Sequence, residues 1–434
     1  MTARVKPFQR ATVEAVIAAL RGGNRTRRFL VADEVGLGKT IVARETIAEL
    51  AADARKFTVY YVTSGLKVAD QNKSELLRFL DEKDAKAALS SVDRVGLMPF
   101  EPPSRALRLY AFTPKTSFSG SQRLYGGKAL ERAFIGCLLD ERYPDLRQDL
   151  PRGFLEHGAT TSWPWAVGEA RERMENVSRR FIDAYASALR AEFGSPVGDG
   201  ILAAVKNSKA GNVLGRLRKA LARAALTSMP PDIVVFDEFQ CYRDLFDAKV
   251  DNPLARALLD GAEGGTPPPL LLLSATPYRF YAERWETEAG VQPHQEFFDI
   301  VEFLGGASVR TAAQKKFRRF GDLLHAIGRL APHERTGPMA EAREIKRQLQ
   351  TMLTPFMSRT ERPIAMNVGD LQQPSSMEPH DLDVYRHFAA NVRDKFKGSA
   401  IAYWLSVPLP AQSLGDRYQI SKGVKFPTSR SVLA

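Results

Sequence analysis

Eight consecutive residues, Asp33-Glu34-Val35-Gly36-Leu37-Gly38-Lys39-Thr40, stand between a short apolar run and an amphipathic stretch. Gly36 and Gly38 can take backbone conformations closed to other residues and can aim successive amides at phosphate oxygens. A helix that starts at this point adds its partial positive charge. Lys39 has the reach to meet β and γ phosphates, and Thr40 carries a hydroxyl suited to Mg²⁺. Leu37 and Ile41 complete the same nucleotide-binding segment. The usual phosphate-loop pattern opens with Gly five residues before the Gly-Lys pair, and that position is Asp33 here. A second set, Val234-Val235-Phe236-Asp237-Glu238-Phe239-Gln240, puts two carboxylates just after an apolar strand. In an open α/β sheet, ligands bind at the carboxyl ends of strands. Asp237 can hold Mg²⁺ through water, and Glu238 can act as general base towards an attacking water. A third set ends four leucines, 270–273, in Ser274-Ala275-Thr276, small hydroxyl residues able to sense a γ-phosphate.

Each set has a plainer reading by itself: a chance Gly-Lys-Thr, an acidic loop, a Ser/Thr turn after a core strand. Their order in one chain, each behind a strand, makes them specific. The elements that must position them follow from periodicity. Residues 7–20 read as an amphipathic helix, and strands are expected at 29–32, 57–63, 107–114, 232–236 and 270–273. Helices are expected at 41–54 and near 68–80. Strands alternating with helices predict a parallel α/β sheet. From about 121 to 228 only helical periodicity is visible, so a helical insertion of roughly 100 residues is expected to interrupt the sheet. After 300 the pattern is helical again, with Pro-rich turns near 363 and 374 and an irregular stretch over 405–434.

These elements resemble the first RecA-like lobe of superfamily-two helicases and translocases. The run from Asp33 to Thr40 is closest to the Swi/Snf-like branch, where Asp and Glu precede the Gly-Leu-Gly-Lys-Thr segment. Lys6-Pro7-Phe8-Gln9-Arg10 resembles the upstream glutamine motif, which implies that Gln9 reads the adenine edge. The stretch from Val62 through Phe79 resembles motif Ia, and that from Leu109 through Phe118 the next strand-end contact motif. Thr63, Thr113, Lys115, Thr116 and Ser117 would then face nucleic acid. Asp237 and Glu238 match the Asp-Glu box, followed here by Gln240, while Ser274-Ala275-Thr276 matches the motif that couples hydrolysis to movement. Residues 353–362 look like the segment leaving the first lobe in Swi/Snf-like proteins.

The resemblance covers about 1–120 and 230–362 and implies ATP, Mg²⁺ and a nucleic-acid partner, DNA ahead of RNA. It divides the chain into lobe segments 1–120 and 229–300, the insertion 121–228, a basic helical extension 301–362, and 363–434 as a linker or the start of another lobe. It also implies a second RecA-like lobe, in cis or in trans, carrying an arginine finger. No convincing counterpart precedes Ala434, so residues 1–434 read as the front half of a motor. A nucleotide-binding interaction module, or an ATPase acting on protein through the insertion, is the alternative.

Composition bounds the rest. The 434 residues carry 62 Lys and Arg against 50 Asp and Glu, a net charge of +12, and a pI of about 9.6. Such a balance suits nucleic acid, or simply solubility. Cys137 and Cys241 are the only cysteines, too few for a disulfide framework or a Cys-built zinc site. No run of 18 apolar residues exists, and the start lacks an apolar signal region, so a cytoplasmic protein without a membrane span is expected. Between 201 and 231 lie Lys206, Lys209, Arg216, Arg218, Lys219 and Arg223 with no acidic residue. Arg216, Arg218 and Lys219 read either as a phosphate-tracking face or as the solvated side of a packed helix. Phe317 and Phe320 within 313–320 could stack on bases or join the core, and Trp163 and Trp165 could dock a partner or anchor the insertion.

Overall fold

The computed structural model describes residues 5–23, 25–101, 106–113, 127–241, 253–261, 266–275 and 293–361, with Arg386, Ala389 and Ala390. The chain divides into two compact units, Met1–Phe280 with Pro293–Glu361, and Tyr281–Gln292 with Arg362–Ala434. The sheet and its flanking helices all belong to the first unit.

The centre of that unit is a parallel sheet of six strands: β1 Arg28–Val31, β2 Phe57–Val62, β3 Leu107–Phe112, β4 Ile233–Asp237, β5 Leu270–Leu273 and β6 Met357–Ser358. They lie in the order β3-β2-β4-β5-β1-β6. The first five are nearly continuous apolar runs because both faces of a parallel sheet are covered. This is the α/β architecture of a RecA-like lobe, as the alternation of strands and helices implied. The sixth strand is only two residues long, too short to show a period. It pairs Leu30 with Met357 and Val31 with Ser358.

Successive side chains point to opposite faces of the sheet, and each face has its own core. On one face, Phe29, Val31, Val59, Tyr61, Leu109, Val235 and Leu271 share a core with Val13, Val16, Val42, Ile47 and Leu76. The partners come from α1 Pro7–Ala18, α2 Lys39–Ala51 and α3 Leu66–Leu76; the short helix α4 Glu82–Ala88 adds Ala88. On the other face, Leu30, Tyr60, Val62, Tyr110, Phe112, Val234, Phe236 and Leu272 share a core with Phe134, Leu138, Phe181, Leu214, Leu217 and Leu221.

The partners on that second face are the insertion. It comprises α5 Ala129–Arg142, α6 Pro144–Asp149, α7 Trp163–Arg173, α8 Arg179–Phe193, α9 Val197–Asn207 and α10 Ala210–Ser228. The helical stretch therefore supplies one of the two layers that bury the sheet. A 3₁₀ turn, Val95–Phe100, is wedged under α10; a Cβ on Gly96 would lie 2.9 Å from Leu221. The Tyr60 hydroxyl donates to the carbonyl of Met229, fastening β2 to the end of α10. Within the insertion, buried Glu131 accepts from Arg218 Nε at 2.7 Å and lies 3.6 Å from Arg94 Nη1.

Helix α11 Pro253–Leu259 packs near α10, and α12 Pro293–Gly305, α13 Ala307–Arg329 and α14 Thr336–Leu353 follow in the first unit. Arg28 ties β1 to α12, donating to the Phe303 carbonyl at 2.9 Å with its guanidinium over the Phe303 ring at 4.1 Å. Phe317 packs with Phe298, Val301 and Ala313, so the core reading holds for it over base stacking. Trp163 packs partly buried against the insertion core, whereas Trp165 is 61% exposed. The tryptophan pair thus anchors through its first member alone. No described helix is long and apolar enough to cross a membrane.

Candidate nucleotide-binding site

Because all pairings in the sheet are parallel, the loops that follow the strands gather along its carboxyl edge. Those loops carry the sequence motifs. The phosphate loop follows β1, the acidic box follows β4, and β5 lies between these two strands. Two strand spacings, roughly 10 Å, thus separate the lines along which Lys39 and Asp237 emerge.

Gly36 and Gly38 have φ of +80° and +88°, in the left-handed region. Gly38 also lies close to Gln9: a Cβ there would meet the end of that side chain. Gln9 is 3% exposed. Its Nε2 donates to the Leu37 carbonyl at 2.9 Å, while its Oε1 accepts from Lys6 N at 2.9 Å. In this structure the glutamine that the resemblance assigns to adenine holds the phosphate loop in place. Ile41 N and Val42 N bond back to the Gly38 carbonyl, starting α2 directly behind the loop.

Lys39 closes the loop on itself. Its Nζ donates to the carbonyls of Asp33 at 2.9 Å and Glu34 at 3.2 Å. Partial burial lowers the ammonium pKa; the charges of Glu238, Asp33 and Asp237 oppose that shift, in this order of strength. Lys39 thus shares one electrostatic neighbourhood with both members of the acidic box. Thr40, beside it at the helix start, is half-buried. Asp33 is 1% exposed and its Oδ1 accepts from Thr360 N at 2.7 Å. The backbone of the loop is also paired to this segment, Glu34 N donating to the Thr360 carbonyl at 3.1 Å. The position where other phosphate loops carry Gly therefore has a structural task here.

Asp237 ends β4, 7% exposed. Burial raises its carboxyl pKa; the hydrogen bond from Tyr61 works against that rise. The Tyr61 hydroxyl donates to Asp237 Oδ2. Asn72 Nδ2 donates to the same carboxylate oxygen at 3.1 Å and to the Tyr61 hydroxyl at 2.7 Å. Burial, and then the charge of Asp237, push the phenol of Tyr61 up, so it stays a donor. Glu238 has φ +55°, a left-handed conformation uncommon for a residue with a Cβ. Its carboxylate accepts from Gln240 Nε2, and its carbonyl accepts from Cys241 N at 2.9 Å. Ser274, fully buried, donates its backbone N–H to the Val31 carbonyl at 3.1 Å, joining the end of β5 to the end of β1. Ala275 follows, half-buried.

Thr63 and Thr113 directly follow β2 and β3 on the same edge and are both buried. Thr276, Lys115, Thr116 and Ser117 lie outside the described residues. Arg216, Arg218 and Lys219 of α10 have partners within the insertion. Arg216 donates to Glu192 Oε1 at 2.9 Å and lies over the Phe193 ring at 4.2 Å. Lys219 is 3.4 Å from the other Glu192 oxygen. Arg218 holds Glu131, with 12% and 5% of the two side chains exposed. Cys241 is exposed and Cys137 half-buried, both as free thiols. Residue-type reasoning overlooked Tyr61, Asn72 and Thr360. A buried tyrosine hydroxyl needs a partner, and that was the available signal for Tyr61.

Among the described residues no group of three or more His, Cys, Asp or Glu side chains is placed to hold a metal. One hydroxyl and one carboxylate of the chain, Thr40 and Asp237, are hard oxygen donors. That set fits Mg²⁺, which keeps several waters and completes its shell with substrate phosphates.

Residues 2–97 match the family model described as type III restriction enzyme, res subunit. That family is of the superfamily-two helicase type, and the matched stretch runs from the start of the chain through the phosphate loop to the 3₁₀ turn under α10. The acidic box and Ser274 lie beyond it. No curated protein matches the chain.

Proposed function

We propose that residues 1–434 contain the ATP-binding lobe of a DNA translocase or helicase, which hydrolyses ATP with Mg²⁺ and uses the energy on nucleic acid. The observation that carries this reading is the placement of the phosphate loop behind β1 and of Asp237 and Glu238 at the end of β4, with only β5 between them, on the carboxyl edge of one parallel sheet. Phosphoryl transfer is catalysed mainly by positioning and by charge stabilisation, and these residues supply the parts. Gly36 and Gly38 open the loop for backbone amides to face phosphate. Lys39 exchanges the Asp33 and Glu34 carbonyls for β and γ phosphate oxygens, a stronger charge-assisted pairing. Thr40 and Asp237 hold the metal side. When bound, Mg²⁺ neutralises charge on the phosphates. Glu238 takes the proton of the attacking water, and Gln240, bonded to Glu238, with Ser274-Ala275-Thr276, passes the state of the site outward.

The Swi/Snf-like pattern around Lys39 and the restriction-enzyme name of the matched family both support DNA over RNA. A second RecA-like lobe, in cis or in trans, is the partner that this reading requires, since an arginine finger contributes about 10³–10⁵ in rate in related chemistry. The second reading is a nucleotide-binding module or ATPase acting on protein through the insertion. It is favoured by the internal pairing of Arg216, Arg218 and Lys219, which occupies the most evident phosphate-tracking face.

Steady-state ATP turnover, with and without duplex DNA at two salt concentrations, separates the two. The measurement is made on residues 1–434 and again with a second lobe supplied. DNA-stimulated turnover that fades with salt, slow for residues 1–434 and faster with the second lobe, is the expected result. Hydrolysis indifferent to DNA and salt would move the protein to the second reading.

A further inference from the structure

Two neighbouring tyrosines of β2 use their hydroxyls differently. Tyr60 and Tyr61 are both buried, on opposite faces of the sheet. A buried phenol is commonly satisfied by a backbone carbonyl, as Tyr60 is by Met229. Tyr61 instead donates to the carboxylate of Asp237, 176 positions along the chain. The strand register explains the reach: Val62 is paired with Phe236, so Asp237 stands one residue past the end of β2. Asn72, half-buried within α3, closes a triangle by donating to both the Tyr61 hydroxyl and Asp237 Oδ2. Two donors, one from a strand and one from a helix, thus converge on one carboxylate oxygen of the acidic box. A small hydrogen-bonded network in a dry site is rigid only while every member is present.

We propose that Tyr61 and Asn72 are positioning residues that fix the plane of the Asp237 carboxylate and so set the protein's affinity for nucleotide-bound Mg²⁺. The inference rests on the ATP-site reading of Lys39, Thr40 and Asp237. Carboxylates that ligate metals are in turn held by hydrogen bonds, and loss of such a partner commonly weakens metal binding by about tenfold or more. Neither residue needs to touch the nucleotide.

The experiment measures equilibrium ATP binding by calorimetry across a Mg²⁺ titration, beginning at no added Mg²⁺. Five proteins are compared: wild type, Tyr61→Phe, Asn72→Leu, the double variant of these two, and the control Tyr60→Phe, with circular dichroism melting for each. Tyr61→Phe keeps the buried ring, and Asn72 is near enough to the surface for its variant to fold if the first does not. For Tyr61→Phe the Mg²⁺ concentration at half-saturation is expected to rise about tenfold, while the Mg²⁺-free affinity, set by Lys39 and the loop, stays as in wild type. Asn72→Leu should shift in the same direction, and the double variant by less than the sum, because both act on one oxygen. Tyr60→Phe should melt lower without moving the Mg²⁺ midpoint. An unchanged midpoint in folded Tyr61→Phe and Asn72→Leu overturns the inference and leaves the ATP site standing. A shift matched by Tyr60→Phe would also overturn it, as a generic effect of instability. Absence of ATP binding by the wild type at any Mg²⁺ concentration would overturn the ATP-site reading, and this inference with it.

Discussion

Glu238 occupies a left-handed backbone conformation, φ +55°, that costs a residue with a Cβ about 1–2 kcal/mol. Such outliers persist where surrounding structure holds them, and they cluster at functional sites. Here the Cys241 amide caps the Glu238 carbonyl and Gln240 holds its carboxylate, so the side chain leaves the strand end in a direction that regular strand backbone would not give it. Glu238→Gln preserves the shape and removes the base. It is expected to bind ATP with Mg²⁺ about as well as wild type and to turn over at least a hundredfold more slowly, since general-base catalysis contributes about 10²–10⁴. Undiminished turnover in a single-turnover assay would show that another group activates the water. Lys39, Thr40 and the glycines were legible in the sequence because their chemistry lies in one short run. Tyr61 and Asn72 were not, because their partnership with Asp237 spans 176 and 165 positions and exists only once β2 and β4 pair.

At the level of elements, strands β1 to β5 were readable because parallel strands buried on both faces are unbroken apolar runs between turn residues. Met357–Ser358 offered no such run, and it enters the sheet through backbone bonds, Leu30 N to the Phe356 carbonyl at 2.9 Å and Ala32 N to that of Ser358 at 2.8 Å. The insertion was readable as helices, since each shows an apolar stripe. A stripe does not say what covers it, so its contribution to the core of Tyr60, Tyr110, Phe112 and Phe236 appeared only in three dimensions. The same limit applies to charge. Arg216 and Lys219 lie on α10 away from its leucines and Arg218 beside Leu214 and Leu221, yet Glu192 and Glu131 reach all three from α8 and α5. Replacing all three with Gln is therefore expected to cost stability, roughly 1–3 kcal/mol from the buried Glu131 side alone, while the slope of log K against log salt for duplex DNA stays unchanged. Chemical denaturation and a salt series on the same variant measure both. A slope reduced by about 0.9 per cation removed would return α10 to nucleic acid.

Within the first unit, one parallel sheet has a core on each face and brings the phosphate loop, the acidic box and the ends of β2, β3 and β5 to a single edge. The order of strands, with β5 between β1 and β4, sets the phosphate loop and the acidic box two strand spacings apart on that edge. The central claim is that this edge binds ATP through Lys39, and equilibrium ATP binding with Mg²⁺ by wild type and Lys39→Ala tests it most directly. The ammonium that now rests on the Asp33 and Glu34 carbonyls is the group available to meet phosphate, so Lys39→Ala is predicted to bind ATP at least tenfold more weakly, roughly the loss of one charge-assisted pairing, with its circular dichroism unchanged. Equal affinity in the two proteins would contradict the account.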